Sequence, residues 1–234
     1  MITIIIPTYN ERENLKPFID KIYSVVDKKQ FHVLIVDDNS PDGTGKIADA
    51  ISRQRSGYVK VLHRTKKGVG TAILDGFNAA KTEIVGVMDA DFSHPPEVLS
   101  RVLDRFKNGA DFVVCSRYVK GGGTSGWSLK RKATSRFATI LARTVTDVKD
   151  PMSGFFFLKK SVIPEDADTT SCKMCLEIIV KGRYKKLVEV PFIFPDRTMG
   201  KSKMGMKMYR KYLKHLQSLM KYKIKKKIWK YKLM

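Results

Sequence analysis

The sequence predicts an α/β fold: a mostly parallel sheet with helices on both faces, followed by a basic amphipathic helix at the C-terminus. Three observations predict it. Short runs rich in β-branched residues alternate with helix-length amphipathic segments up to Cys115. The first, second and fourth runs end at Pro7, Asp37 and Asp89, residues that turn a chain. Beyond residue 200 the chain carries thirteen Lys or Arg and no acid, with apolar residues spaced every three or four positions.

Residues 2–6 read as the first strand, broken by Pro7-Thr8-Tyr9-Asn10-Glu11 before a helix to about residue 26, with Asn10 as the expected N-cap. Residues 31–36 form the second strand and end in Asp37-Asp38-Asn39-Ser40-Pro41-Asp42-Gly43-Thr44, a turn-rich loop that opens a helix to about residue 55. The third strand is 59–62. Gly68-Val69-Gly70-Thr71-Ala72 then starts a helix reaching residue 80, the apolar run before Asp89 is the fourth strand, and a helix from Pro95 to residue 107 leads to a fifth strand at 111–115. In such sheets ligands sit beyond the carboxyl ends of the strands. The polar motifs after Ile6, Val36 and Met88 are therefore expected to face one cleft.

Past Arg117 the alternation stops. Gly121-Gly122-Gly123 and Gly126 make a loop, and a helix over 129–144 interleaves Lys130, Arg131, Lys132, Arg136 and Arg143 with Phe137, Ile140 and Leu141. Asp150-Pro151-Met152-Ser153-Gly154 turns into an apolar strand at 155–158; a helix near 174–182 and an extended run over 187–194 close the compact part. A catalytic-type domain is expected over 1–205 and a separate helical tail over 206–234.

The chemistry concentrates after the fourth strand, in Asp89-Ala90-Asp91-Phe92-Ser93-His94-Pro95-Pro96. Extended side chains alternate, so Asp89 and Asp91 are expected on one side, with Ala90 leaving room beside them. Two carboxylates that close repel unless a cation neutralises them, and hard oxygen ligands favour Mg²⁺ or Mn²⁺ over zinc. Two solvated loop acids are the plainer alternative. Gly68-Val69-Gly70 lacks the third glycine of a dinucleotide fingerprint and follows the third strand instead of the first. What remains is a cleft with Asp38, Asp89 and Asp91 on one side and the cations Arg117, Arg197 and Lys203 arriving from elsewhere, a combination matched to a diphosphate. Residues 197–203 suit a flap that closes over phosphates and excludes water.

The formal net charge is +22 over 234 residues, more than half of it beyond residue 200. A basic chain fits a nucleic-acid-binding module, but the clustered acids of the cleft would repel a polyanion, so no nucleic acid is expected. No apolar run approaches the ~18 residues of a spanning helix, and the N-terminal stretch lacks the basic flank of a signal peptide. Three cysteines make no disulfide framework, and Cys172-Lys173-Met174-Cys175 without a second pair reads as buried thiols on a helix. From residue 206 the tail places Tyr209, Leu213, Leu216, Met220, Ile224, Ile228 and Tyr231 along one stripe among lysines, the pattern of a helix lying on an anionic bilayer. A helix packed on the core with a basic end is the alternative.

The ordered set PTYNERENL, VDDNSPDGT, DADFSHPPE, SRYVKGGG with GWSLKRKATSR, DPMSGFF and FPDRTMGKSK resembles the successive motifs of the dolichol-phosphate mannosyltransferases, a branch of inverting glycosyltransferase family 2 with the GT-A fold. The resemblance implies mannose transfer from GDP-mannose to dolichyl or another polyprenyl phosphate. A polyprenyl-phosphate glucosyl or N-acetylhexosaminyl transferase using a UDP-sugar is the runner-up. It further implies that Pro7, Tyr9 and Glu11 line the nucleotide pocket, with Val36 and Asp38 beside base and ribose. Asp89, Ala90 and Asp91 hold the diphosphate through a divalent metal, with Asp91 and Arg117 as the catalytic pair. Arg117, Arg197 and Lys203 neutralise the phosphates. Ser93 stands where some relatives carry Gln as a metal contact, and His94 is expected to orient its loop. The lipid acceptor implies a peripheral position on the cytoplasmic face of a membrane, reached through the cationic tail or a separate membrane subunit.

Overall fold

The computed structural model describes residues 1–65, 68–167, 173–196 and 206–232, with side chains over 209–226 in the last stretch. In chain order the elements are β1 (Ile2–Thr8), α1 (Arg12–Val25), β2 (Phe31–Asp37), α2 (Thr44–Gln54), β3 (Val59–His63), α3 (Val69–Ala79), β4 (Ile84–Val87), α4 (Leu99–Lys107), β5 (Phe112–Ser116) and β6 (Gly123–Thr124). There follow α5 (Leu129–Ala142), β7 (Phe156–Lys159), α6 (Met174–Lys181), β8 (Leu187–Pro191), β9 (Ile193–Phe194) and α7 (Met206–Lys232).

Among the described residues, seven strands form one sheet in the order β3-β2-β1-β4-β7-β5-β8. The pairs β1–β2, β1–β4, β2–β3 and β5–β8 are parallel. β7 runs antiparallel between β4 and β5, because the chain returns to the sheet from α5 and a turn instead of through a crossover helix. The extended run expected over 187–194 is two strands. β8 joins the main sheet, and β9 pairs with β6 in a two-stranded ribbon, Gly123 opposite Ile193 and Thr124 opposite Phe194.

Alternation along the strands sorts the core into two layers. Ile2, Ile4 and Ile6 face Leu15, Phe18, Ile19 and Ile22 of α1, together with Ala48 and Ile51 of α2 and Val102 and Phe106 of α4. Ile5, Val36, Val85 and Val87 face Ala72, Ile73 and Phe77 of α3, with Cys175 and Ile178 of α6. Burial pushes the Cys115 and Cys175 thiols well above their ordinary range, so both remain protonated packing groups; Cys172 lies outside the described residues.

A third cluster binds the C-terminal helix to the body. Tyr212, Leu216 and Leu219 of α7 pack with Ala142, Val145 and Leu176. The Tyr212 hydroxyl donates to the Ala138 carbonyl at 2.7 Å, and His215 pairs with Glu177, a carboxylate 1% exposed that also meets Lys181 Nζ at 2.8 Å. The stripe expected along α7 is thus divided. Leu216 is buried against the body, whereas Leu213, Met220 and Ile224 remain exposed; Ile228 and Tyr231 lie outside the described side chains. Among the described residues no helix is long and apolar enough to cross a membrane.

The expected N-cap at Asn10 is not made. Glu11 takes that position without a side-chain cap, and Asn10 sits at φ 60°, its N–H donating to Ser40 Oγ at 3.1 Å. Asn tolerates the left-handed region, which lets the chain turn sharply out of β1.

β4 can sit beside β7 only because Gly86 has no side chain. A Cβ there would lie 1.9 Å from the ring of Phe157, a residue fully buried in the sheet. Gly86→Ala is expected to destabilise the protein by about 1–3 kcal/mol, lowering Tm by roughly 3–10 °C. Thermal unfolding followed by circular dichroism checks it, and an unchanged Tm would contradict the packing.

Candidate active site

The loops after β1 and β2 are stitched into one rim at the carboxyl edge of the sheet. Glu11 N–H donates to Thr44 Oγ1 at 2.9 Å and Arg12 N–H to Asp42 Oδ2 at 3.1 Å. Pro7, Tyr9 and Glu11 are half-buried along this rim. Val36 and Ala90 are buried, and the Val36 side chain packs towards α3.

Asp38 is buried and fully engaged. Its Oδ1 accepts from Arg64 Nη1 at 2.6 Å, and its Oδ2 accepts the Gly68 N–H at 2.8 Å. Arg64 also reaches Asp75 and Thr71 on α3, at 2.9 and 2.7 Å. Asp38 therefore ties the β2 loop to the start of α3. Its partner Arg64 is a residue the sequence offers no reason to single out.

β4 ends at Val87, before the acidic loop begins, so strand alternation no longer orders its side chains. Phe92 adopts φ 61°, a rare conformation for an aromatic residue, and its ring sits edge-on to Phe18 at 5.3 Å. The loop curls back on itself, and Asp91 Oδ1 accepts the Ser93 N–H at 3.1 Å. Asp91 is 8% exposed, whereas the Asp89 side chain is 41% exposed. Ser93 is fully buried, and among the described residues its hydroxyl finds no hydrogen-bond partner.

His94 holds this loop in place. Its Nδ1 accepts the Asp89 N–H at 2.8 Å, which leaves the proton on Nε2, 3.8 Å from Asp89 Oδ2. The ring stacks on Phe155 at 4.8 Å, with Phe192 and Phe194 edge-on.

Arg117 is locked by Asp150. Nε and Nη2 each donate to that carboxylate at 2.7 Å, and the Arg117 backbone N–H adds a third bond at 2.9 Å. Asp150 has no exposed surface. It is placed in turn by Glu189 of β8, which accepts the N–H groups of Lys149 and Asp150 at 2.8 and 3.1 Å. Burial alone would lower the pKa of Arg117, but the hydrogen bonds and charge of Asp150 outweigh it and hold the guanidinium above its ordinary value.

A cavity of about 600 Å³ joins these parts. Asp89, His94 and Arg117 line it from the sheet, Trp127, Lys130 and Arg131 from around the start of α5, and Tyr209 and Tyr212 from α7. Asp89 and Arg117, both singled out in the sequence, thus share one space; Asp38 and Asp91 stand outside its lining. Arg197 and Lys203 lie outside the described residues. Asp150, Trp127 and Arg131 are additions. The GWSLKRK run signals the last two as an aromatic next to cations, but nothing local signals that Asp150 would meet Arg117.

Among the described residues no group of three or more His, Cys, Asp or Glu could hold a metal unaided. Two carboxylates and an unpartnered buried hydroxyl nevertheless fit a hard divalent ion whose remaining ligands are water and substrate phosphate oxygens.

A parallel sheet interrupted by one antiparallel strand, with an acidic loop at its carboxyl edge, is the arrangement of the GT-A fold class, to which many glycosyltransferases belong. The chain matches the family model described as Glycosyl transferase family 2 over residues 3–181, and it belongs to that family. It is 42% identical to the dolichol-phosphate mannosyltransferase of Pyrococcus furiosus, over 94% of this chain and 64% of that protein, so it spans under two thirds of that relative's length. It is 35% identical to the dolichol-phosphate mannosyltransferase of Saccharomyces cerevisiae, over 93% of this chain and 86% of that one. A solved mannosyltransferase from Pyrobaculum calidifontis, in complex with GDP-Man and Mn²⁺, superposes with a TM-score of 0.63 at 18% identity, over 96% of this chain and 64% of that chain.

Removing one member of a buried ion pair strands the other charge, at about 3–5 kcal/mol. Asp150→Ala is accordingly expected to lower the urea unfolding midpoint steeply. A midpoint equal to that of the wild type would show that the Arg117 pair contributes nothing.

Proposed function

We propose that this chain transfers mannose from GDP-mannose to the phosphate of dolichyl or another polyprenyl phosphate, inverting the anomeric carbon. One observation carries the reading: a single cavity is lined by Asp89 together with Arg117, Lys130 and Arg131. A carboxylate that can share a metal with a diphosphate therefore shares its space with cations that can hold a second phosphate. The names of the relatives and the ligands of the Pyrobaculum neighbour support the same choice of substrates.

In this reading the nucleotide lies along the rim formed by Pro7, Tyr9 and Glu11, with Val36 and Asp38 shaping its floor. Asp89 and Asp91, with the buried hydroxyl of Ser93, would hold a Mg²⁺ or Mn²⁺ ion, and the small side chain of Ala90 would leave room beside them. The ion, when bound, stabilises the charge gathering on the departing GDP. His94 keeps the acidic loop in register. Arg117 and Arg131 orient the acceptor phosphate so that one oxygen approaches the anomeric carbon opposite the GDP. The new carbon–oxygen bond forms as the bond to the diphosphate breaks. A phosphate monoester is already anionic at neutral pH, so no general base is required, in keeping with a His94 whose Nδ1 is committed to a backbone N–H. Arg197 and Lys203 are assigned to the phosphates on the sequence motif alone.

The acceptor's lipid directs the mouth of the cavity towards a bilayer. Leu129, Phe137 and Ile140 of α5 are exposed, as are Leu213, Met220 and Ile224 of α7. Lys130, Lys132, Arg136, Lys214 and Lys221 are interspersed with them along the two helices. Apolar residues flanked by lysine and arginine suit the headgroup region of an anionic membrane. The chain works there as a peripheral enzyme.

Incubation of dolichyl phosphate with radiolabelled GDP-mannose, UDP-glucose or UDP-N-acetylglucosamine in separate reactions tests the donor. Only GDP-mannose is expected to yield labelled lipid, and transfer from either UDP-sugar instead would refute the assignment. Asp89→Ala, Asp91→Ala and removal of divalent ions with EDTA should each lower turnover by at least about 100-fold, the two variants keeping the wild-type Tm. Full activity in any of the three would reject the metal site. Phe137→Asp with Ile140→Asp is expected to reduce sedimentation with phosphatidylserine vesicles, and undiminished binding would remove α5 from the membrane face.

A further inference from the structure

The cavity holds two arginines against one aromatic wedge, and their counter-ions differ. The Arg131 guanidinium lies 3.9 Å from the centroid of the Trp127 ring and 5.8 Å from that of Phe194. The Arg117 guanidinium faces the same two rings at 5.7 and 5.8 Å. Stacked on aromatic faces, the two cations keep their places without needing every donor filled.

Arg117 has given two side-chain donors to Asp150 in a pair 8% and 0% exposed. Arg131 pairs instead with Asp196, in a contact whose side chains are 34% and 45% exposed. The first pair belongs to the fold. The second is solvated, and such pairs are weak and readily exchanged.

Asp196 owes its position to the ribbon of β6 and β9. Ser125 N–H donates to the Phe194 carbonyl at 2.9 Å, which brings Gly126 against Asp196. A side chain at Gly126, which has φ +75°, would lie 3.0 Å from the Asp196 Cβ. The carboxylate therefore reaches Arg131 from fixed backbone.

We propose that Asp196 is a displaceable counter-ion: it occupies Arg131 while the acceptor is absent and yields that guanidinium to the acceptor's phosphate. The inference rests on the reaction proposed above. Without Asp196, Arg131 would lose its acidic partner in a cavity also lined by Arg117 and Lys130. With a phosphate bound, the denser anion takes over the donors through charge-assisted bonds. Asp196 thus sets the acceptor's affinity without touching the reacting atoms, and acts as a positioning residue.

The test is steady-state kinetics of the full chain with farnesyl phosphate as acceptor and GDP-mannose as donor. Asp196→Asn should lower the KM for farnesyl phosphate by about two- to fivefold, leave the KM for GDP-mannose unmoved, and have no effect in an Arg131→Gln background. Asp196→Glu, which restores the charge, should return the acceptor KM towards that of the wild type. An acceptor KM that is unchanged or raised in Asp196→Asn would overturn the proposal, and so would a decrease that persists in Arg131→Gln. Failure of the wild type to mannosylate any polyprenyl phosphate would instead reject the underlying reaction, and the two failures are thereby distinguished.

Discussion

The cavity depends on the buried pair between Arg117 and Asp150. It joins the end of β5 to the turn that enters β7, and Glu189 extends the connection to β8. These three strands lie on the side of the sheet where β7 reverses the parallel pattern. A buried carboxylate and guanidinium are costly to desolvate, and the cost is offset only when geometry and extra hydrogen bonds are good. Two side-chain bonds and one backbone bond to the same carboxylate meet that condition. Arg117 can then face the cavity as a fixed cation, with its position set by the fold instead of by the substrate.

The remaining parts of the site are arranged around charges of opposite sign. The acidic loop is held by a histidine whose ring is packed among phenylalanines, and the basic wall is held by a tryptophan and a phenylalanine. Aromatic packing orients both sets of polar groups without neutralising them. α7 closes the space with Tyr209 and Tyr212, and its docking through Glu177 and His215 connects that wall to α6. The helix read from the sequence as a tail forms one side of the candidate active site.

Much of the architecture was legible because it is written locally. Apolar runs, turn residues and the acidic loop lie within windows of ten or fifteen residues, and the first five strands fall within a residue or two of their expected bounds, apart from the shorter β4. What escaped depends on residues distant in sequence. The antiparallel direction of β7 leaves no mark on Phe156 to Lys159, because a buried strand has the same composition in either direction. β6 and β9, of two residues each, are too short for periodicity. The pairs Asp38–Arg64, Arg117–Asp150 and Arg131–Asp196 span 26, 33 and 65 positions. Asp38 and Arg117 were read from their motifs, but their partners were not. Strand alternation is not what orders Asp89 and Asp91, because the strand stops at Val87 and Phe92 turns the backbone left-handed. The apolar stripe of α7 was recognised as a stripe, but its division between a buried face and an exposed one required the body against which it packs.

The insertion of β7 between β4 and β5 also bears on how the chain is made. As synthesis proceeds from the N-terminus, β1 to β4 can assemble by local crossovers, leaving the outer edge of β4 unpaired. The strand that covers it emerges only with residues 156–159, after all of α5. In any order of assembly, the outer edge of β4 stays without its antiparallel partner until residues that follow the whole of α5 are in place, and an unpaired edge is where partly folded chains can associate.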